Sequence, residues 1–169
     1  AHGVEDPFES ARRAHVTAIG GASKRVWLQS PYFIPDPGTS DALINSALSG
    51  VDLRLMMTDW PDKKTALHAA ESFYKPLLSA GGRIFRYTKG FFHAKSLTVD
   101  GTMSAVGTMN LDIRSLKLHK ELMVWCYDPA VAQRCEQIFR DDLEHCREIT
   151  LQEVEGWSAV HQWVNSAAR

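Results

Sequence analysis

The sequence changes rhythm near its middle, and that change limits the fold more than any other feature. Up to residue 88, short apolar and β-branched runs alternate with helical stretches. Beyond it, Asp100-Gly101 separates two strand-like runs, 94–99 and 103–107, and reads as the turn of a β-hairpin. Strands alternating with helices predict a parallel sheet joined by crossovers, whereas a hairpin predicts an antiparallel pair. Together they predict an α/β domain, a mixed β-sheet flanked by helices on both faces.

Periodicity and capping residues place the elements. Helices are expected over 8–20 (beginning near Asp6-Pro7), 39–50 (ending at Gly50), 62–82 (kinked near Pro76), 129–149 (starting at Pro129) and 151–165. Further strands are expected over 25–30, 51–57, 83–88 and 119–126, with a proline-rich loop over 31–38. A chain of 169 residues, 44% hydrophobic and 23% charged, suits one compact domain over 1–169. The net charge of −1 argues against a dedicated nucleic-acid binder, and no nucleic-acid partner is expected. No apolar run reaches the roughly 18 residues of a membrane span, and no secretory signal is visible. The opening run "AHGVEDPFESARRAH" reads as the interior of a longer chain. The odd cysteine count (Cys126, Cys135, Cys146) without C-x-x-C spacing reads as free thiols, with Cys135 and Cys146 on one helix.

The chemistry concentrates on the hairpin. His93 and Lys95 are two apart in an extended run and share a face, roughly 6.5–7 Å apart. Leu97 and Val99 continue that face, so a lysine stands at the end of an apolar row, where an anionic ligand would explain it. A turn centred on Asp100-Gly101 brings position 93 opposite Thr108; a turn one residue later brings it opposite Asn110. Gly107 leaves room for close approach of a ligand or of backbone. Glu121, among apolar neighbours on the next strand, needs a partner, and a histidine whose tautomer it fixes is a plausible one. Such a set suits phosphodiester chemistry: histidine attacks phosphorus or protonates the leaving alcohol, while lysine and asparagine hold the phosphoryl oxygens. No metal and no cofactor is expected at the site, since no H-E-x-x-H or paired-aspartate cage is present. His2, His15, His68, His119, His145 and His161 are expected to be structural or exposed. Asp100 is explained by the turn alone.

The pattern H-x-K-x-x-x-x-D, then six residues and G-[ST]-x-N, here His93, Lys95, Asp100, Gly107, Thr108 and Asn110, resembles the HKD motif of the phospholipase D superfamily. "QSPYFIPD", "SGVDLRLMM", "FYKPLLSAGGRIFRYTKGFFHAK", "VGTMNLDIRS" and "FRDDLEHCREIT" are similar to the second catalytic domain of bacterial cardiolipin synthases. The resemblance implies a single phospholipase D-like domain and transfer of a phosphatidyl group between two phosphatidylglycerols through a phosphohistidine. It implies His93, Lys95 and Asn110 in catalysis; Glu121 is expected to orient His93, Thr108, Arg114, Ser115 and Tyr32 (where a strand ends) to lie near substrate, and Asp100 and Gly107 to be structural. The family builds one site from two HKD motifs, and this chain carries one (93–110). It is therefore expected to be the C-terminal half of a longer enzyme, completed by an N-terminal HKD domain or a second copy of the chain. The whole protein is expected at the bacterial cytoplasmic membrane, and this segment by itself to be soluble. Two other functions remain open: a metal-independent phosphodiesterase or nuclease completed by homodimerisation, and a non-catalytic interaction domain.

Overall fold

A computed structural model describes residues 6–168; His2 lies outside the described residues. In chain order the first elements are α1 (Ser10–Gly20), β1 (Arg25–Gln29), β2 (Phe33–Ile34), α2 (Pro37–Leu48), β3 (Asp52–Thr58), α3 (Lys64–Glu71), α4 (Tyr74–Ser79) and β4 (Arg83–Tyr87). The rest are β5 (Ser96–Val99), β6 (Met103–Gly107), β7 (Leu111–Asp112), a π-helical turn (Arg114–Leu118), β8 (Met123–Cys126), α5 (Pro129–Leu143), β9 (Cys146–Ile149), α6 (Leu151–Glu155) and α7 (Ala159–Ala168).

Among the described residues, seven strands form one mixed sheet in the order β8-β6-β5-β1-β3-β4-β9. The central trio β1, β3 and β4 is parallel, and β5, β6, β8 and β9 extend it antiparallel. Burial follows the strand period. Leu55 and Met57 join the larger core with α1, α2 and α4 on one face, while Met56 turns to the other face and packs with Trp27, Phe85, Phe92 and Phe139 of α5. Helices thus cover both faces, as the alternation predicts. The caps are local: Asp36 accepts from Gly38 N at 3.2 Å and opens α2 ahead of Pro37, and Asp128 accepts from Ala130 N at 2.7 Å ahead of Pro129. No helix among the described residues is long and apolar enough to cross a membrane.

The helix expected over 151–165 is two, α6 and α7, and two other helix expectations fail for identifiable reasons. The helix expected over 62–82 is two helices, broken at Ser72-Phe73 rather than at Pro76. Pro76 sits in the first turn of α4, where its missing N–H costs nothing, and its ring would collide with the carbonyl of residue 72 in a continuous helix. The helix expected over 129–149 stops at Leu143, and Cys146–Ile149 form β9 against β4. Cys135 and Cys146 therefore lie on different elements. Residues 146–149 fit a helical stripe as well as a strand, and only the open edge of β4 decides between them.

Candidate active site

The hairpin turn sets the site. Asp100 (φ 54°) and Gly101 (φ 69°) both take the left-handed region, and Thr102 N donates to Val99 O at 3.1 Å. Val99 pairs with Met103, so Thr102 is an extra residue in the turn. That residue moves the register: Gly107 N donates to Lys95 O at 3.2 Å, and position 93 comes level with Met109 rather than with Thr108 or Asn110. The strand begins only at Ser96, leaving His93 and Lys95 on the extended segment that enters it.

Lys95 stands at the end of the apolar row, as the alternation predicts. It is 8% exposed, and Leu97 and Val99 beyond it are buried. Its Nζ donates to His93 O at 2.8 Å, the one side-chain hydrogen bond it makes among the described residues. Burial lowers its pKa, against the opposing influence of Glu121 and Asp112. His93 is exposed, with its ring stacked on Phe91 at 5.3 Å. Desolvation and then the Lys95 charge lower its pKa, while Asp62 acts the other way. At neutral pH the imidazole is therefore largely neutral, with a nitrogen lone pair available for attack.

Glu121 does not meet His93. Its carboxylate accepts from Thr108 Oγ1, and its other oxygen lies 3.9 Å from His119 Nδ1. Thr108 Oγ1 in turn accepts from Leu122 N at 3.0 Å, and Thr108 N donates to Leu122 O at 2.9 Å. Thr108 and Glu121 thus lock the end of β6 to the approach of β8. Gly107 makes that approach possible: a Cβ there would lie 2.0 Å from Leu122 O. Of the two uses predicted for this glycine, close passage of backbone is the one seen. Asp100 lies at the far end of the hairpin. Its carboxylate accepts from the backbone N–H groups of Ser23, Lys24 and Arg25 at 2.8–2.9 Å and from Ser23 Oγ at 3.0 Å, riveting the turn to the start of β1.

Tyr32, Asn110, Arg114 and Ser115 come together as lining of one pocket of about 360 Å³. Asn110 Nδ2 donates to the buried Ser115 Oγ at 3.2 Å, and its Oδ1 is buried with no partner among the described residues. Exchanging the two amide atoms by a flip places donor hydrogens where that oxygen lies and lets Ser115 donate instead. Asp112 holds the π-helical turn in place, accepting from Arg114 N at 2.9 Å and Ser115 N at 3.0 Å. Tyr32 OH donates to Asp62 at 2.7 Å; desolvation and this carboxylate push its pKa up to about 12, so it stays a neutral donor. The pocket also contains Lys63 and His119, beside the apolar Ile34, Ala66, Ala69 and Ile113. Sequence reasoning passed over His119 and the alanines. The alanines recur at i and i+3 on α3, but a small-residue spacing does not say which neighbour it admits.

Two of the histidines expected to be structural or exposed are brought together. His68 and His161 meet around Glu71, although 93 positions separate them in sequence and no spacing rule connects them.

This arrangement has the fold of phospholipase D proteins. The chain superposes on the phospholipase D family member Nuc from Salmonella typhimurium with a TM-score of 0.72 at 20% identity, covering 86% of this chain and 94% of that one. On the phosphatidylserine synthase of Haemophilus influenzae the TM-score is 0.78 at 15% identity, covering 99% of this chain and 43% of the other. Within that fold the match is narrower. The family model described as "Cardiolipin synthase, PLD-like domain" matches residues 16–143, and the chain belongs to this family. Cardiolipin synthase 2 of Bacillus cereus is 40% identical over 149 residues, 88% of this chain but 29% of that relative's length. The chain thus spans less than a third of that curated relative.

Proposed function

We propose that this chain is the C-terminal catalytic half of a cardiolipin synthase and gives His93, Lys95 and Asn110 to a site that a second HKD set completes. The reaction is transfer of a phosphatidyl group from one phosphatidylglycerol to the hydroxyl of another, releasing glycerol. The observation that carries the reading is Lys95, a buried ammonium at the end of an apolar strand face with one carbonyl for a partner. An anionic phosphodiester supplies the counter-charge that this position lacks.

In this scheme a nitrogen of neutral His93 attacks phosphorus and the bond to the glycerol oxygen breaks. The histidine of the second half protonates the departing alkoxide, and the incoming hydroxyl then displaces phosphorus from His93 while the same group takes its proton. Lys95 and the Asn110 amide hold the equatorial oxygens as charge builds on them. The lowered pKa of His93 suits the attacking role in this half. The neighbouring pocket, with Lys63, Arg114 and His119 set among apolar walls, suits a phosphoglycerol headgroup with the start of its chains. The whole protein would then work at the bacterial cytoplasmic membrane.

The test is product formation by the complete gene product on vesicles containing phosphatidylglycerol. We expect cardiolipin and glycerol from the parent protein and none from His93→Ala; a His93→Ala protein with parental turnover overturns the assignment. One observation favours a second reading, a phosphodiesterase formed by two copies of this chain: it covers nearly the whole of Nuc. A stable dimer of the 169-residue chain that cleaves a phosphodiester without metal would reverse the order of the two readings.

A further inference from the structure

The meeting of α3 and α7 holds a group of side chains that the phosphodiester site does not use. His68 and Glu71 are three apart on α3, and His161 and Asn165 are four apart on α7, so each pair projects from one helix face towards the other. His161 Nε2 lies 2.7 Å from Glu71 Oε2, His68 Nδ1 lies 3.5 Å from the same oxygen, and Asn165 Oδ1 lies 2.9 Å from His68 Nδ1. Glu71 and Asn165 are buried. The other oxygen of Glu71 is occupied by Arg86 Nη1 at 3.2 Å, and Arg86 is also paired with Asp59 at 2.6 Å.

From this geometry we propose a zinc-class divalent metal site, with His68, Glu71 and His161 as ligands and the Asn165 carbonyl oxygen or water in the fourth position. Four ligands around a tetrahedral ion at zinc bond lengths of about 2.0–2.1 Å stand roughly 3.3 Å from one another. The three separations of 2.7, 2.9 and 3.5 Å bracket that value, and the ligand nitrogens of His68 and His161 lie within 4.8 Å of each other. Two imidazoles and one carboxylate form a donor set that favours zinc and its late transition-metal neighbours over magnesium or calcium. Arg86 leaves Glu71 Oε2 free for the ion and offsets the carboxylate charge from the opposite side. The ion would be a clamp and not a reagent: none of its three ligands lines the pocket beside Asn110. It would pin α7 to α3, the helices that give Ala168 and Ala66 to that pocket's wall.

The experiment uses the 169-residue chain, stripped with chelator and kept reduced. Calorimetric titration with Zn²⁺ should show one saturable site, and the melting temperature should rise with added Zn²⁺. Co²⁺ should give the visible d–d bands of a tetrahedral nitrogen and oxygen site and quench Trp157, whose ring lies 4.6 Å from that of His161. His68→Gln and His161→Gln should each weaken binding by at least about tenfold, with unchanged far-ultraviolet circular dichroism, and His93→Ala should bind as the parent does. Three results overturn the proposal: no saturable site in the parent chain, parental affinity in the two histidine variants, or a cobalt–thiolate charge-transfer band that assigns the metal to cysteine. The cobalt spectrum of the parent decides the matter even if a variant fails to fold.

Discussion

On the proposed function, Lys95 is the residue at which the fold gives up stability for the site. Burying an ammonium with a single carbonyl partner is unfavourable, and the lowered pKa expresses that cost. Removing the charge should therefore separate folding from function. In the complete protein, Lys95→Met should melt no lower than the parent, because an unbranched apolar chain fills the same channel. Turnover should fall by roughly 10²–10³, the loss typical of a missing oxyanion partner. Melting curves beside vesicle turnover read the two effects; a variant with poor stability and normal turnover per folded molecule would show that the lysine is structural. This residue was legible in the sequence because a charge in an apolar alternation has few structural explanations. Glu121 was legible only as a carboxylate that needed a partner. Which partner it takes depends on the single extra residue at Thr102 and on a hydroxyl one position past Gly107, and neither shows in the strand pattern.

At the scale of elements, the alternation forecast α1, α2, the parallel strands and the hairpin, and local chemistry set the Pro129 helix start and the Asp100-Gly101 turn, while the Asp36-Pro37 start of α2 was read as part of the loop over 31–38. What local chemistry does not decide was missed. The edge strand β9 forms because β4 offers an unpaired edge, and the two-residue strands β2 and β7 form because their neighbours bring them side by side. The seating of α1 carries its own pH dependence. His15 is buried, its Nδ1–H donating to Ala11 O at 2.9 Å and its ring set edge-on to Trp125 of β8 at 5.1 Å. Burial holds its pKa below the ordinary 6.5, so between the folded value and about 6.5 the unfolded chain binds more protons than the folded one. Stability should thus be fully present above about 6.5 and decline as pH falls towards the folded value. Urea midpoints at about pH 7.5 and pH 5 should differ in that sense, and His15→Asn, which keeps a donor without the titration, should shrink the gap. An undiminished gap would place the acid sensitivity in other groups.

For the whole molecule, the β8 edge of the sheet carries exposed apolar side chains. Val106 and Val124 are cross-strand partners on β6 and β8, both about half exposed, and Leu122, two residues before Val124, is exposed as well. Contiguous apolar surface along an open edge marks a place where another chain or domain sits, and on the proposed reading that neighbour is the other HKD half. Val124→Lys should leave the melting temperature of the isolated chain unchanged yet lower product formation in the complete protein. Equal turnover would move the interface elsewhere. The sheet also has a direction. At one end Asp100 rivets the hairpin to the start of β1; at the other lie Lys95, His93 and the pocket, on segments that have just left or not yet entered their strands. Selection therefore meets a scaffold polarised along its strands. Variation at the riveted end is screened by whether the chain folds, whereas on the proposed function variation at the open end is screened by which alcohol and which headgroup are accepted. A lineage built on this plan is free to drift in substrate without refolding.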